Sequence, residues 1–163
     1  MGSFYQNGLV ANLHDFSYGV KGLNNYERLE NDLKIFSKKN PMELILPSLY
    51  SELEGKALPK IINEISKTSY LNHIIIGLDR ASKSEYNRAN NFFKKLNQPF
   101  SILWNDGPRL MALDKELKEK GLSPREFGKG RNVWYCIGMT IARGEAQSVA
   151  LHDCDILTYD RTL

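Results

Sequence analysis

The chain has 163 residues, 42% hydrophobic and 25% charged, with a formal net charge of +3: an ordinary globular balance, long enough to bury a core. This excludes a disordered chain and a coiled coil, and the weak, unclustered positive charge leaves no electrostatic footprint for nucleic acid. No apolar run approaches the roughly 20 residues that span a bilayer, and no basic, apolar leader opens the sequence. Cys136 and Cys154 form no CxxC pair, which fits free thiols and a cytoplasmic location.

Met1 to Leu23 is rich in Gly, Asn and aromatic residues and has no period. The spacing of Leu29, Leu33 and Phe36 predicts a helix from about Asn25 to Lys38, ended by Pro41, so residues 1–41 read as an N-terminal extension with one helix. From residue 42 to 163, short apolar runs alternate with amphipathic helices. Glu43–Leu46 is a strand, and Glu54 to Thr68 a helix with Leu58, Ile61, Ile62 and Ile65 inward. His73–Leu78 is a second strand. Ser82 and Glu85 form a capping box for a helix reaching Leu96. Phe100–Trp104 is a third strand. Pro108 opens a helix with Leu110, Leu113 and Leu117 inward, closed by Gly121. Asn132 to Arg143 is a further helix, stopped by Gly144, and Ser148–Leu151 is a fourth, buried strand.

The alternation of strand and helix predicts an α/β fold, an open and mainly parallel sheet with flanking helices and right-handed crossovers. In such sheets ligands bind beyond the carboxyl ends of the strands. The residues at those ends are Pro47 to Tyr50 with Glu52, then Asp79, then Asp106, then Asp153 and Asp155.

Asp153-Cys154-Asp155 is the sharpest motif. In an extended segment its carboxylates point to one side and supply oxygen ligands for Mg²⁺ or Mn²⁺, which leave positions open for substrate phosphates. The same residues also read as a polar loop after a strand. Asp79 is placed to accept hydrogen bonds from a base or a ribose, and reads equally as a turn residue or a helix N-terminal charge. Asp106-Gly107-Pro108 reads first as a turn and helix start, with Asp106 kept as a binding candidate. Gly128-Lys129-Gly130 precedes a helix, where Lys129 can meet phosphate oxygens, although neither a P-loop nor a GxGxxG turn is present. Glu52 is placed to contact a nucleoside, and Glu54 to favour a helix N-terminus. His14, His73 and His152 lack metal-ligand spacing, and His152 reads as structural. No residue stands out as a nucleophile or a catalytic base.

Taken in order, LILPSLYSELEGKALPKIINEI, IIIGLD, FGKGRNVWYCIGMTIARGE and VALHDCDI resemble the donor-binding half of a family-two-type glycosyltransferase with the glycosyltransferase-A fold, a Rossmann-like domain. The resemblance runs from about Glu43 to Leu163 and is nearest to the glucosyl-3-phosphoglycerate synthases. It implies transfer of a hexose from a nucleotide sugar to a phosphorylated three-carbon acid, assisted by a metal. It also implies that Pro47, Leu49 and Glu52 line the nucleoside, that Asp79 meets the base, that Lys129 approaches the diphosphate, and that Asp153 and Asp155 serve ribose and metal. The acceptor half would lie downstream, so a truncated domain is expected. Arg80-Ala81-Ser82-Lys83 departs from the small and acidic cluster usual in the family, which leaves the base open. A metal-dependent nucleotidyltransferase and a non-catalytic interaction domain that keeps the fold are the alternatives.

Overall fold

A computed structural model describes residues 25–161; His14 and the aperiodic stretch Met1–Leu23 lie outside the described residues. The elements are α1 (Asn25–Phe36), β1 (Met42–Leu49), a 3-10 turn (Tyr50–Glu54), α2 (Ala57–Ile65), β2 (Leu71–Asp79), α3 (Lys83–Phe93), β3 (Phe100–Trp104), α4 (Pro108–Glu119), α5 (Lys129–Arg143) and β4 (Ser148–Leu151). All strand pairs are parallel, in the order β3-β2-β1-β4. The chain therefore builds outward from β1 to β3 and then returns to lay β4 on the other side of β1. The order reverses between β1 and β4, and the crevice beyond the strand ends at such a point is where open α/β sheets bind ligands. The expected Rossmann-like α/β architecture is present. Among the described residues no helix is long and apolar enough to cross a membrane.

β1 and β2 are buried along almost their whole length, as central parallel strands covered on both faces must be. Side-chain alternation divides them. Leu44, Leu46, Ile74, Ile76 and Leu78 meet Leu58, Ile61, Ile62 and Ile65 of α2 and Ala89 and Phe93 of α3. Ile45 and Ile75, on the opposite face, meet Cys136 of α5, with Leu103 and Met139 at the border. The inward stripe read for α2 is fully buried. The capping box also forms: the Ser82 hydroxyl accepts from the Glu85 N–H at 3.4 Å, and the Glu85 carboxylate accepts from the Ser82 N–H at 2.7 Å. Gly144, at φ 65°, ends α5 by donating its N–H to the Thr140 carbonyl.

Several boundaries move. β1 and β2 extend beyond the apolar runs that announced them. Glu54 closes the 3-10 turn instead of opening α2, α3 stops at Phe93, and α5 begins at Lys129 rather than Asn132. In α4, Leu110 is inward as expected, but Leu113 is 46% exposed and its place is taken by Asp114, 5% exposed. The helix turns this carboxylate inward because Arg131 and Tyr135 of α5 wait for it. Phe36 of α1 is 54% exposed, so only Leu29 and Leu33 of that stripe are half-buried. β4 is exposed at all four residues, not buried, because it is the sheet's edge and no described element covers it.

Candidate functional site

A cleft of about 200 Å³ opens at the carboxyl ends of β1 and β2, facing the N-terminus of α5 and the turn after β4. Pro47, Leu49, Glu52, Asp79, Lys129 and Asp155, all singled out in the sequence, line it together. A larger cavity, about 700 Å³, lies under α1 at the opposite end of the sheet. Its walls are mainly apolar, and its charges are Glu27, Glu30, Glu43 and Asp160 against Arg161 and the neutral-leaning His152. That balance repels a diphosphate, so the smaller cleft is the better candidate despite its size.

The β1 wall is built from backbone constraints. The Ile45 carbonyl accepts from the His152 N–H at 3.1 Å, so Pro47, two residues on, turns its backbone to the same side. There the β1–β4 ladder has already ended at Ile45, and the N–H that proline lacks is not missed. Glu52 folds back over this strand end, where its carboxylate accepts from the Ser48 hydroxyl at 3.0 Å and the Leu49 N–H at 3.1 Å.

β2 ends at Asp79, and Arg80 follows with φ 55°, the only described non-glycine residue in the left-handed region. That conformation costs an arginine about 1–2 kcal/mol. It is held by what surrounds it. The next N–H, on Ala81, donates to Asp106 at 2.9 Å, and the Trp104 indole N–H donates to the Ala81 carbonyl at 2.7 Å. Asp106 thus stands outside the cleft lining and anchors the loop that carries Arg80.

The α5 wall depends on glycines at both contacts. Gly128 caps the helix at φ 127°, a conformation that side chains rarely adopt, and presents the positive end of a 15-residue helix to the cleft. Asn132, one turn in, donates to the Gly77 carbonyl of β2 at 2.7 Å. A Cβ on Gly77 would stand 1.8 Å from the Asn132 Oδ1, so only glycine lets the helix approach this closely. Further tethers fix α5. Arg143 donates to Glu43 at 3.0 Å at the far end. Asp114 of α4 bonds Arg131 at 2.6 Å, Lys118 at 2.7 Å, and the hydroxyls of Ser123 and Tyr135. Burial by itself would raise the Asp114 carboxyl, but the Lys118, Ser123 and Tyr135 hydrogen bonds and the Arg131 charge outweigh it and hold the group far below the usual range.

The Asp153-Cys154-Asp155 motif is not extended. It lies in a turn after β4, so its carboxylates do not share a side by strand alternation. Cys154 points into the core, where burial first and then the charge of Glu52 push its thiol up to about 12. It is neither a thiolate nucleophile nor a ready metal ligand. Asp155 lines the cleft, and Asp153 stands at its rim, paired with the Lys129 ammonium. His152 contacts the Tyr159 hydroxyl through Nδ1 at 2.6 Å, and its burial lowers its pKa, in keeping with a structural role. His73 is likewise occupied, with Nε2 2.9 Å from the Ser101 hydroxyl. Among the described residues there is no cluster of three or more His, Cys, Asp or Glu that could hold a metal alone. The donor set fits Mg²⁺ or Mn²⁺ only as a shared ion, since such ions are often held by one or two carboxylates together with substrate phosphates.

Arg80, Asn132 and Cys154 line the cleft without having been singled out for it. An isolated glycine inside the IIIGL strand was the signal for a close approach such as that of Asn132. The Asp114–Lys118 spacing of four was the signal for a polar inner face on α4. Nothing local marks Arg80.

No protein-family model matches the chain, and no solved structure matches it significantly. Two curated relatives do. A glucosyl-3-phosphoglycerate synthase of Persephonella marina is 41% identical over 163 residues, all of this chain and 39% of the relative. A glucosyl-3-phosphoglycerate synthase of Methanococcoides burtonii is 36% identical over 157 residues, 96% of this chain and 37% of the relative. The chain thus spans about two fifths of the length of each relative, and over that span it is similar to the glucosyl-3-phosphoglycerate synthases, as the motif resemblance anticipates.

Proposed function

We propose that the cleft is the donor site of a glycosyltransferase that moves a hexose from a nucleotide sugar to a phosphorylated three-carbon acid, with residues 42–163 forming the donor-binding half and residues 1–41 an extension before it. The observation that carries this reading is the convergence of Pro47, Leu49, Glu52, Asp79, Lys129 and Asp155 at the switch point of a parallel sheet. The names of the two relatives support the reaction class and the acceptor in this reading.

In this reading Pro47 and Leu49 form an apolar rail for the nucleoside. Glu52, already oriented by Ser48 and the Leu49 N–H, accepts a hydrogen bond from it. Asp79 accepts from the base. The positive end of α5 and the Lys129 ammonium face the diphosphate and stabilise the charge that builds on it as the sugar leaves. Asp155, with Asp153 at the rim, would hold Mg²⁺ or Mn²⁺ jointly with the diphosphate, where the ion neutralises the leaving group. Entry of the diphosphate would draw Lys129 away from Asp153 and release that carboxylate for ribose or metal. Two buried, unpaired cysteines accord with a cytoplasmic enzyme.

Calorimetric titration with UDP-, GDP- and ADP-sugars, with and without Mg²⁺ or Mn²⁺, tests the reading. We expect metal-dependent binding of one nucleotide sugar, lost in Asp155→Ala. Binding that ignores both the metal and the substitution would remove the metal assignment. Preference for a nucleoside triphosphate would replace the reading with a nucleotidyltransferase.

A further inference from the structure

Arg80 breaks the alternation of the strand that carries it. In an extended continuation of β2 it would follow Ile76 and Leu78 onto the face packed against α2 and α3. Its left-handed backbone instead places it in the lining of the cleft, beside Asp79 and across from Lys129. Its guanidinium makes no hydrogen bond or ion pair with the described residues. The cleft's other cation and one of its carboxylates differ: Lys129 is paired with Asp153, and Glu52 is taken up by Ser48 and Leu49. Asp106 and Trp104 meanwhile clamp both backbone groups of Ala81, so the strained conformation is imposed from outside and not by any contact of the arginine itself. Glycine would satisfy this backbone better, and an arginine here keeps a cost that no contact within the described protein offsets.

We propose that Arg80 is a phosphate-binding residue of the cleft, its guanidinium forming a forked pair with phosphate oxygens of a substrate, and that Asp106 positions it by fixing the loop. The inference rests on the donor-site reading and adds a residue to it. The planar fork of an arginine matches a phosphate, and the cleft's acidic lining of Glu52, Asp79 and Asp155 otherwise opposes an entering anion. The phosphate belongs either to the donor's diphosphate or to a phosphorylated acid acceptor.

The test compares the 163-residue chain with Arg80→Gly and Arg80→Lys, titrated with UDP, GDP, ADP, inorganic pyrophosphate and 3-phosphoglycerate in the presence of Mg²⁺. We expect Arg80→Gly to lose about 10- to 100-fold in affinity for one class of phosphate compound, as removal of a charge-assisted bond does, while its melting temperature holds or rises by a few degrees. Arg80→Lys is expected to recover part of the affinity, and Asp106→Asn to weaken it with Arg80 in place. Loss confined to the nucleotides assigns the donor phosphate, and loss confined to 3-phosphoglycerate assigns the acceptor. Equal binding of every one of these compounds, nucleotides included, by the parent and a folded Arg80→Gly overturns the inference and leaves the donor site standing. Binding of pyrophosphate or 3-phosphoglycerate but of no nucleotide, lost in Arg80→Gly, keeps the inference and removes the donor-site reading. No binding of any of these compounds by the folded parent removes both.

Discussion

On one face of the sheet, Leu44, Leu46, Ile74, Ile76 and Leu78 are covered by α2 and α3 through apolar contacts, whereas the opposite face offers Cys136 of α5 little more than Ile45 and Ile75. α5 is held instead by directed polar bonds, from Asn132 to Gly77, from Arg143 to Glu43, and from Arg131 and Tyr135 to Asp114. Apolar burial is strong and indifferent to direction, which suits a face whose task is to hold the domain together. Hydrogen bonds and ion pairs contribute less net stability, but each fixes a distance and an angle. The helix that must aim its N-terminus and Lys129 at a ligand is the one set by such bonds.

If this division of labour holds, substitutions on the two faces will separate stability from binding. The largest stability loss is expected from Phe93→Ala on the α3 side, about 3–5 kcal/mol, since the side chain is fully buried. Urea denaturation measures it, and the affinity of the folded fraction for nucleotide should be unchanged. Asp114→Ala should cost about 3 kcal/mol by leaving the half-buried Arg131 without its partner, and it should weaken nucleotide binding as α5 loosens. Equal binding by this variant and by Phe93→Ala would break the comparison. The Asp114 carboxyl lies below its ordinary value of 3.8 in the folded state, so its contribution is present above that value and is lost as pH falls through the folded one. The urea midpoint at acid pH should therefore fall more steeply in the parent chain than in Asp114→Ala.

Gly77→Ala sharpens the comparison further. The new methyl displaces Asn132, so we expect a loss of about 1–3 kcal/mol by overpacking, together with weaker nucleotide binding. The smallest effect concerns two histidines. Burial is the leading cause that lowers both His73 and His152, so the unfolded chain binds their protons more readily. That contribution is present above the ordinary histidine range and is lost as pH falls through it. The melting temperature should drop modestly from pH 7.5 to 5.5, and the slope should flatten in a His73→Gln, His152→Gln double variant.

Much of this was written locally in the chain. The Ser82–Glu85 box, the stops at Gly121 and Gly144, and the α2 stripe from Leu58 to Ile65 depend on neighbours a few residues away, and all appear as read. The order of strand-end residues was equally legible, because in a parallel sheet every strand delivers its carboxyl end to the same side. What the tertiary structure alone decided is who meets whom across the chain. It put β4 at an exposed edge, bent Asp153-Cys154-Asp155 into a turn, and gave the inner face of α4 to Asp114 instead of Leu113. It also set Arg80 in the left-handed region through Asp106 and Trp104, residues about 25 positions away. Periodicity records which residues share a side of one element, but which side is covered, and which backbone is forced out of its preferred region, follows from contacts that exist only once distant segments have packed.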